Sequence, residues 1–257
     1  MAYQLSRRRF FKHVAMTNLG AGLASLAAVA AGQVSDDSVR GLTFLFQGDS
    51  ITDGNRGRNT DPNHIMGHGY AFSIASRIGA DFPRSKFNFF NRGVSGNKIP
   101  DLQKRWQSDT LEIKPDVLSI LIGINDTGAA VKKASDACTV AEFETGYSKL
   151  LADCKSANPH ILFILGLPFV CPVGPVLSNW EAWRDGVRQR AEVVRKLAMK
   201  FDAVLVDYQA VFDKAAGQAP PEYWVWDGIH PTVPGHELMA REWIEQAGKR
   251  LPFLRKK

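Results

Sequence analysis

At 257 residues, 45% hydrophobic and 23% charged, the chain has the length and balance of a globular protein with one sizeable core, and a single domain is the default. Its formal charge of +6 includes Arg7, Arg8, Arg9 and Lys12 within the first 31 residues, which hold no acid, so the remainder carries only +2. That removes the support charge would give to nucleic-acid binding.

In chain order, SRRRFFK (Ser6 to Lys12) precedes an alanine-rich apolar stretch from about Val14 to Ala31. The pattern resembles a twin-arginine export signal, which implies passage through the twin-arginine translocase, cleavage after Ala30 or Ala31, and a periplasmic or secreted protein with no stable membrane insertion afterwards. An N-terminal membrane anchor is the alternative. Residues 32–40 read as a linker and 41–257 as the folded domain. Uniformly apolar runs at 42–47, 87–91, 116–122, 161–166 and 203–207 predict strands buried on both faces, as in a parallel sheet. Helices are predicted at 69–80, 99–110, 139–157, 179–200 and 234–249. Thr139 with Glu142 forms a capping box, and Thr232 with Pro234 supplies cap and first-turn chemistry. The alternation gives an α/β fold, a three-layer α/β/α sandwich whose ligand site lies at the carboxyl ends of the strands. Cys138, Cys154 and Cys171 sit in no motif and are expected to be buried thiols.

The first three predicted strands end in polar, glycine-bearing clusters: GDS (Gly48 to Ser50), NRGVSGN (Asn91 to Asn97) and GIND (Gly123 to Asp126). In a parallel sheet these ends share one edge, so Ser50, Gly93 and Asn125 can converge. A fourth cluster, WVWDGIHPT, places Asp227 three residues before His230 ahead of the last helix. A hydroxyl becomes a useful nucleophile when imidazole takes its proton and a carboxylate fixes the imidazole tautomer. A glycine N–H and an asparagine amide would hold the oxyanion, at about 2.7–4 kcal/mol per donor. Singly, each residue has a plainer role: Ser50 as a helix cap, Gly93 and Asn125 as turn residues, His230 as a surface side chain.

Together and in order, GDSITD, NRGVSGN, GIND and DGIHP resemble the four blocks of the SGNH, or GDSL, hydrolases. The resemblance covers about residues 42 to 250. It implies a flavodoxin-like sheet of five parallel strands and ester hydrolysis without a metal or other cofactor. Ser50 would be the nucleophile, His230 the base and Asp227 its orienter, with the N–H groups of Ser50 and Gly93 and the Asn125 side chain as the oxyanion hole. FQGDSITDGNR, GHGY, RGVSGNKIPDLQKRW, ILIGIND and VWDGIHPTVPGH further resemble the bacterial branch that includes acetylxylan esterases, which implies an acylated carbohydrate substrate.

Trp106, Tyr223, Trp224 and Trp226 lie beside these blocks and offer faces for sugar rings, or else pack the core. Trp226 is the preferred site wall. Asp53 and Arg56 either line the entrance or form the turn after the nucleophile. Three other readings compete. A lysophospholipase or short-chain lipase of the same fold would use PFVCPVGPVL (Pro168 to Leu177) as an acyl pocket. A metal site is prompted by His64 and His68 at i, i+4, but Gly67 and Gly69 favour a loop and no glutamate follows His64. A non-catalytic glycan-binding protein is opposed by the presence of every block residue.

Overall fold

The computed structural model describes residues 39–255. The expected leader (1–31) and the linker up to residue 38 lie outside the described residues, as do the last two. Five strands, β1 (Thr43–Gly48), β2 (Asn88–Asn91), β3 (Val117–Leu121), β4 (Leu162–Gly166) and β5 (Val204–Val206), form one sheet in the order β2-β1-β3-β4-β5. Every neighbouring pair is parallel. Gly48 at the end of β1 pairs with Leu121 at the end of β3. The chain turns to opposite sides of the sheet from β1, so the crevice between the ends of β1 and β3 is a topological switch point, the usual ligand position in such folds.

The period of two in a strand explains the two cores. Phe44 and Phe46 point to one face, where they meet α2 (Tyr70–Asp81) and α9 (Val233–Ala247). The Trp243 ring lies 6.5 Å from Phe44 and 5.7 Å from Phe46, and its indole N–H donates to Ser119 Oγ at 2.9 Å. Leu45, Leu118 and Ile120 point to the other face, against α3 (Ile99–Trp106), α5 (Val140–Ala157) and α6 (Trp180–Lys200). Each fully buried aromatic or aliphatic side chain contributes about 1.5–3 kcal/mol.

The caps follow the expected chemistry. Glu142 N donates to Thr139 Oγ1 at 3.2 Å while Thr139 N donates to Glu142 Oε2 at 2.8 Å, starting α5. Thr232 Oγ1 accepts from Gly235 N at the start of α9. Two helices were not foreseen: α4 (Ile124–Val131), beginning directly at the GIND cluster, and α7 (Tyr208–Ala215), capped by Asp207. Single turns α1 (Ser50–Asp53) and α8 (Pro221–Trp224) complete the set. Helix α3 ends at Trp106 and passes into a π-helical turn, Gln107–Leu111. All three cysteines are free thiols, Cys154 and Cys171 buried and Cys138 half-buried. No described helix is long and apolar enough to cross a membrane.

Candidate active site

Strand β1 delivers Ser50 to the sheet edge, but Ser50 is not the cap of the turn it starts. Asp49 is: its Oδ1 accepts from Ile51 N at 3.1 Å. The Ser50 hydroxyl is thereby left to His230, with Oγ 2.8 Å from Nε2. His230 Nδ1 lies 2.7 Å from Asp227 Oδ2, while Asp227 Oδ1 accepts from the backbone N–H groups of His230 (2.7 Å) and Ile229 (2.9 Å). Burial would raise the Asp227 pKa, but these bonds outweigh it and hold the carboxyl below its ordinary range. An ionised carboxylate accepts and cannot donate, so Nδ1 carries the imidazole proton and Nε2 accepts from Ser50. The loop is pinned by a bridge between Val225 and Pro231 and by Trp226 N donating to His230 O.

The second block requires a correction. Gly93 was the expected oxyanion donor, but its N–H donates to Asn91 Oδ1 at 2.9 Å and is unavailable. Its role is close packing: a Cβ there would stand 2.4 Å from Asp53 N. Gly96 instead lines the cleft beside the triad. It occupies the third position of a turn closed by Asn97 N to Val94 O, with φ +81°, and a Cβ there would meet nothing within 4 Å. In such a turn the N–H of the third residue points outward; among the described residues no acceptor takes it. Gly93→Ala is therefore expected to lower stability by about 1–3 kcal/mol through overpacking, and Gly96→Ala by about 1–2 kcal/mol through its left-handed backbone alone. Urea denaturation of the two variants checks the contrast. The sequence signal was present, two glycines three apart in one cluster, and composition could not choose between them.

Asn125, in the first turn of α4, donates from Nδ2 to Asn97 O at 3.2 Å and keeps a second N–H for the cleft. Its neighbour Asp126 is fully buried and accepts from Ile99 N, joining the starts of α3 and α4. Asp49 is equally buried; among the described residues one oxygen of each carboxylate has no hydrogen-bond partner. Burial, with a smaller push from Asp126, raises the Asp49 pKa to about 7.

Beside the triad opens a cleft of about 670 Å³, lined by Gly96, Asn125, Asp227, Ile229, Val176 and Trp183 among others. Pro175 and Val176 come from the proline-rich segment, as the lipase reading required, whereas Trp183 carried no sequence signal. Trp226 is 61% exposed and stacks on His230, the ring centres 6.3 Å apart. Tyr223 is exposed as well, and Trp224 Nε1 donates to Ala215 O and Ala219 O.

Three expected substrate-binding residues lie elsewhere. Trp106 is buried in the core behind the sheet, because its spacing from Ile99 and Leu102 puts it on the inward stripe of α3. Asp53 is buried beneath the loops, where it accepts from the two terminal guanidinium nitrogens of Arg58, Nη1 and Nη2, and from the N–H of Ser95. Arg56 is half-buried, its Nε donating to Gly93 O at 2.9 Å; burial lowers its pKa to about 10. Asp53 and Arg56 bind the first block to the second. His64 and His68 do not share a helix face: residues 62–66 form turns, and His64 pairs with Asp61.

Residues 46–238 match the GDSL-like lipase/acylhydrolase family. An acetylxylan esterase of Geobacillus stearothermophilus is 30% identical over 213 residues, covering 81% of this chain and 94% of the relative. The crystal structure of Axe2, an acetylxylan esterase from the same organism, is 30% identical and superposes with a TM-score of 0.72 over 81% of this chain and 95% of its own. A GDSL-like protein of Parabacteroides merdae is 36% identical and superposes with a TM-score of 0.77, covering 81% of this chain and 96% of its own. An alpha/beta hydrolase from the metagenome of Lake Arreo reaches 0.73 at 29% identity, covering 82% and 96%.

Proposed function

The chain belongs to the GDSL-like lipase/acylhydrolase family and is a carboxylic ester hydrolase, and on that premise we propose that it is an exported serine esterase removing short acyl groups, chiefly O-acetyl, from a carbohydrate. The observation that carries the mechanism is the chain from Ser50 through His230 to Asp227, at 2.8 and 2.7 Å, beside a cleft. Ser50 Oγ attacks the ester carbonyl while its proton passes to His230 Nε2. Negative charge on the carbonyl oxygen is held by the N–H groups of Ser50 and Gly96 and by the Asn125 amide. Collapse breaks the C–O bond to the sugar, whose oxygen takes the proton from His230. Water, deprotonated by the same imidazole, then attacks the acyl carbon and frees acetate and Ser50.

The carbohydrate assignment rests on the acetylxylan esterase relative and on the exposed Trp226 face beside His230. Export rests on the SRRRFFK leader. Pro175 and Val176 in the cleft wall favour a second reading, a lipase or lysophospholipase accepting longer chains. Both are tested by release assays with acetylated xylan, acetylated xylo-oligosaccharides, acetylated amino sugars, lysophospholipid, and 4-nitrophenyl esters of two to eight carbons. The expected result is acetate release from the xylan-derived substrates and a kcat/KM falling with chain length. A preference for octanoyl over acetyl would overturn the deacetylase reading.

A further inference from the structure

We propose that Arg105 is a positioning residue that fixes the spacing of the three oxyanion donors. The proposal rests on the esterase reading above and extends it to a side chain outside the four sequence blocks. Arg105 lies on the last turn of α3, with its side chain only 17% exposed. Its Nε donates to Asn97 Oδ1 at 2.8 Å, its Nη1 to Arg92 O at 2.7 Å and Asp109 Oδ2 at 3.0 Å, and its Nη2 to Gly48 O at 3.4 Å.

Three of these four contacts touch the frames of the donors, and the fourth, to Asp109, anchors the guanidinium from behind. Gly48 is the last residue of β1, two before Ser50, and its carbonyl also accepts from Val94 N. Arg92 and Asn97 bracket the loop that carries Gly96. Asn97 serves twice, since its side chain is held by Arg105 while its backbone carbonyl holds Asn125 Nδ2. One rigid, planar guanidinium therefore connects the end of β1, both ends of the second loop and, through Asn97, the start of α4. The anchor behind it is also fixed: Gln47 Nε2 donates to Asp109 O and Thr110 Oγ1. A lysine could reach one of these acceptors as a point charge but could not present the fork that spans them. Donors aimed at a developing oxyanion act through preorganisation, and a misplacement of about 1 Å is worth about 10²-fold in rate.

The test uses an alkyl fluorophosphonate, whose phosphorus is attacked by Ser50 Oγ with loss of fluoride and whose phosphoryl oxygen takes the place of the oxyanion. Wild type, Arg105→Lys, Arg105→Ala and Asn97→Ala are compared by the labelling rate constant at saturation and by the final labelled fraction. The expected result is a fall of about 10²-fold in the rate constant for Arg105→Lys, a smaller fall for Asn97→Ala, and an unchanged labelled fraction. Guanidinium ion is expected to restore part of the rate in Arg105→Ala. Unchanged rate constants, or a loss confined to the labelled fraction, would overturn the proposal, because the second outcome describes a residue needed for folding alone. A wild type that is not labelled would overturn the esterase reading and this proposal with it. A wild type that labels but releases no acetate from carbohydrate would overturn the substrate assignment while the variant comparison still decides Arg105.

Discussion

Ser50→Ala is expected to lower kcat for 4-nitrophenyl acetate by about 10⁶-fold while the melting temperature and circular dichroism stay at wild-type values. The second half of that expectation comes from the local structure. The turn after β1 is capped by the Asp49 carboxylate, and among the described residues the Ser50 hydroxyl hydrogen-bonds to His230 alone. Removing it deletes a nucleophile and no bond that holds the fold. Hydrolysis by the variant at the wild-type rate would refute the mechanism at its first step. A parallel loss of the folded signal would mean that Ser50 also supports the sheet end.

The second large effect belongs to Asp227. In Asp227→Asn the amide oxygen can keep both backbone donors, His230 N and Ile229 N, so the loop retains its ties. The amide nitrogen then faces His230 Nδ1 and donates to it, which forces the ring proton onto Nε2. An Nε2–H cannot accept the Ser50 proton, and kcat is expected to fall about 10⁴-fold. Steady-state kinetics gives the loss, and nitrogen NMR of the imidazole gives the tautomer. A loss below tenfold, or an unmoved tautomer, would show that the carboxylate does not orient the base.

The five strands are legible in the sequence because a parallel sheet covered on both faces imposes unbroken apolar runs, and each end falls within one residue of the expected one. The hydrogen-bonded chain of Ser50, His230 and Asp227 is legible because three polar residue types stand at a strand end and in the last loop, where an unspecialised chain would carry ordinary turn residues. Helix α4 is hidden because it begins inside GIND, with glycines at 123 and 128 that imitate a loop. Gly93 and Gly96 exchange roles for a reason invisible in one dimension, since only contacts with Asp53 and Asn91 show which N–H is engaged. Trp106 misleads because it follows closely on the NRGVSGN cluster in sequence while its helical stripe, shared with Ile99 and Leu102, belongs to the core. The cleft is least legible, for its walls gather residues 96, 125, 176, 183 and 227 from five separate segments.

The buried Asp49 carboxyl makes stability depend on pH between the acid range and neutrality. Its pKa is about 7 in the fold against 3.8 for the free side chain, so between those values the native state holds a proton that the unfolded chain releases. The stabilisation linked to that proton is complete below the unfolded value and drains away as the pH climbs through 7. Ionised Asp49 would then face Asp126 across a water-poor interior, immediately behind the nucleophile. Resistance to urea is expected to decline from about pH 4 to about pH 7 in the wild type and then to level off, and to decline less over that window in Asp49→Asn, whose amide oxygen still caps Ile51 but has no proton to release. The residue that frees Ser50 from capping thus ties part of the esterase's stability to a proton that it sheds on the approach to neutrality.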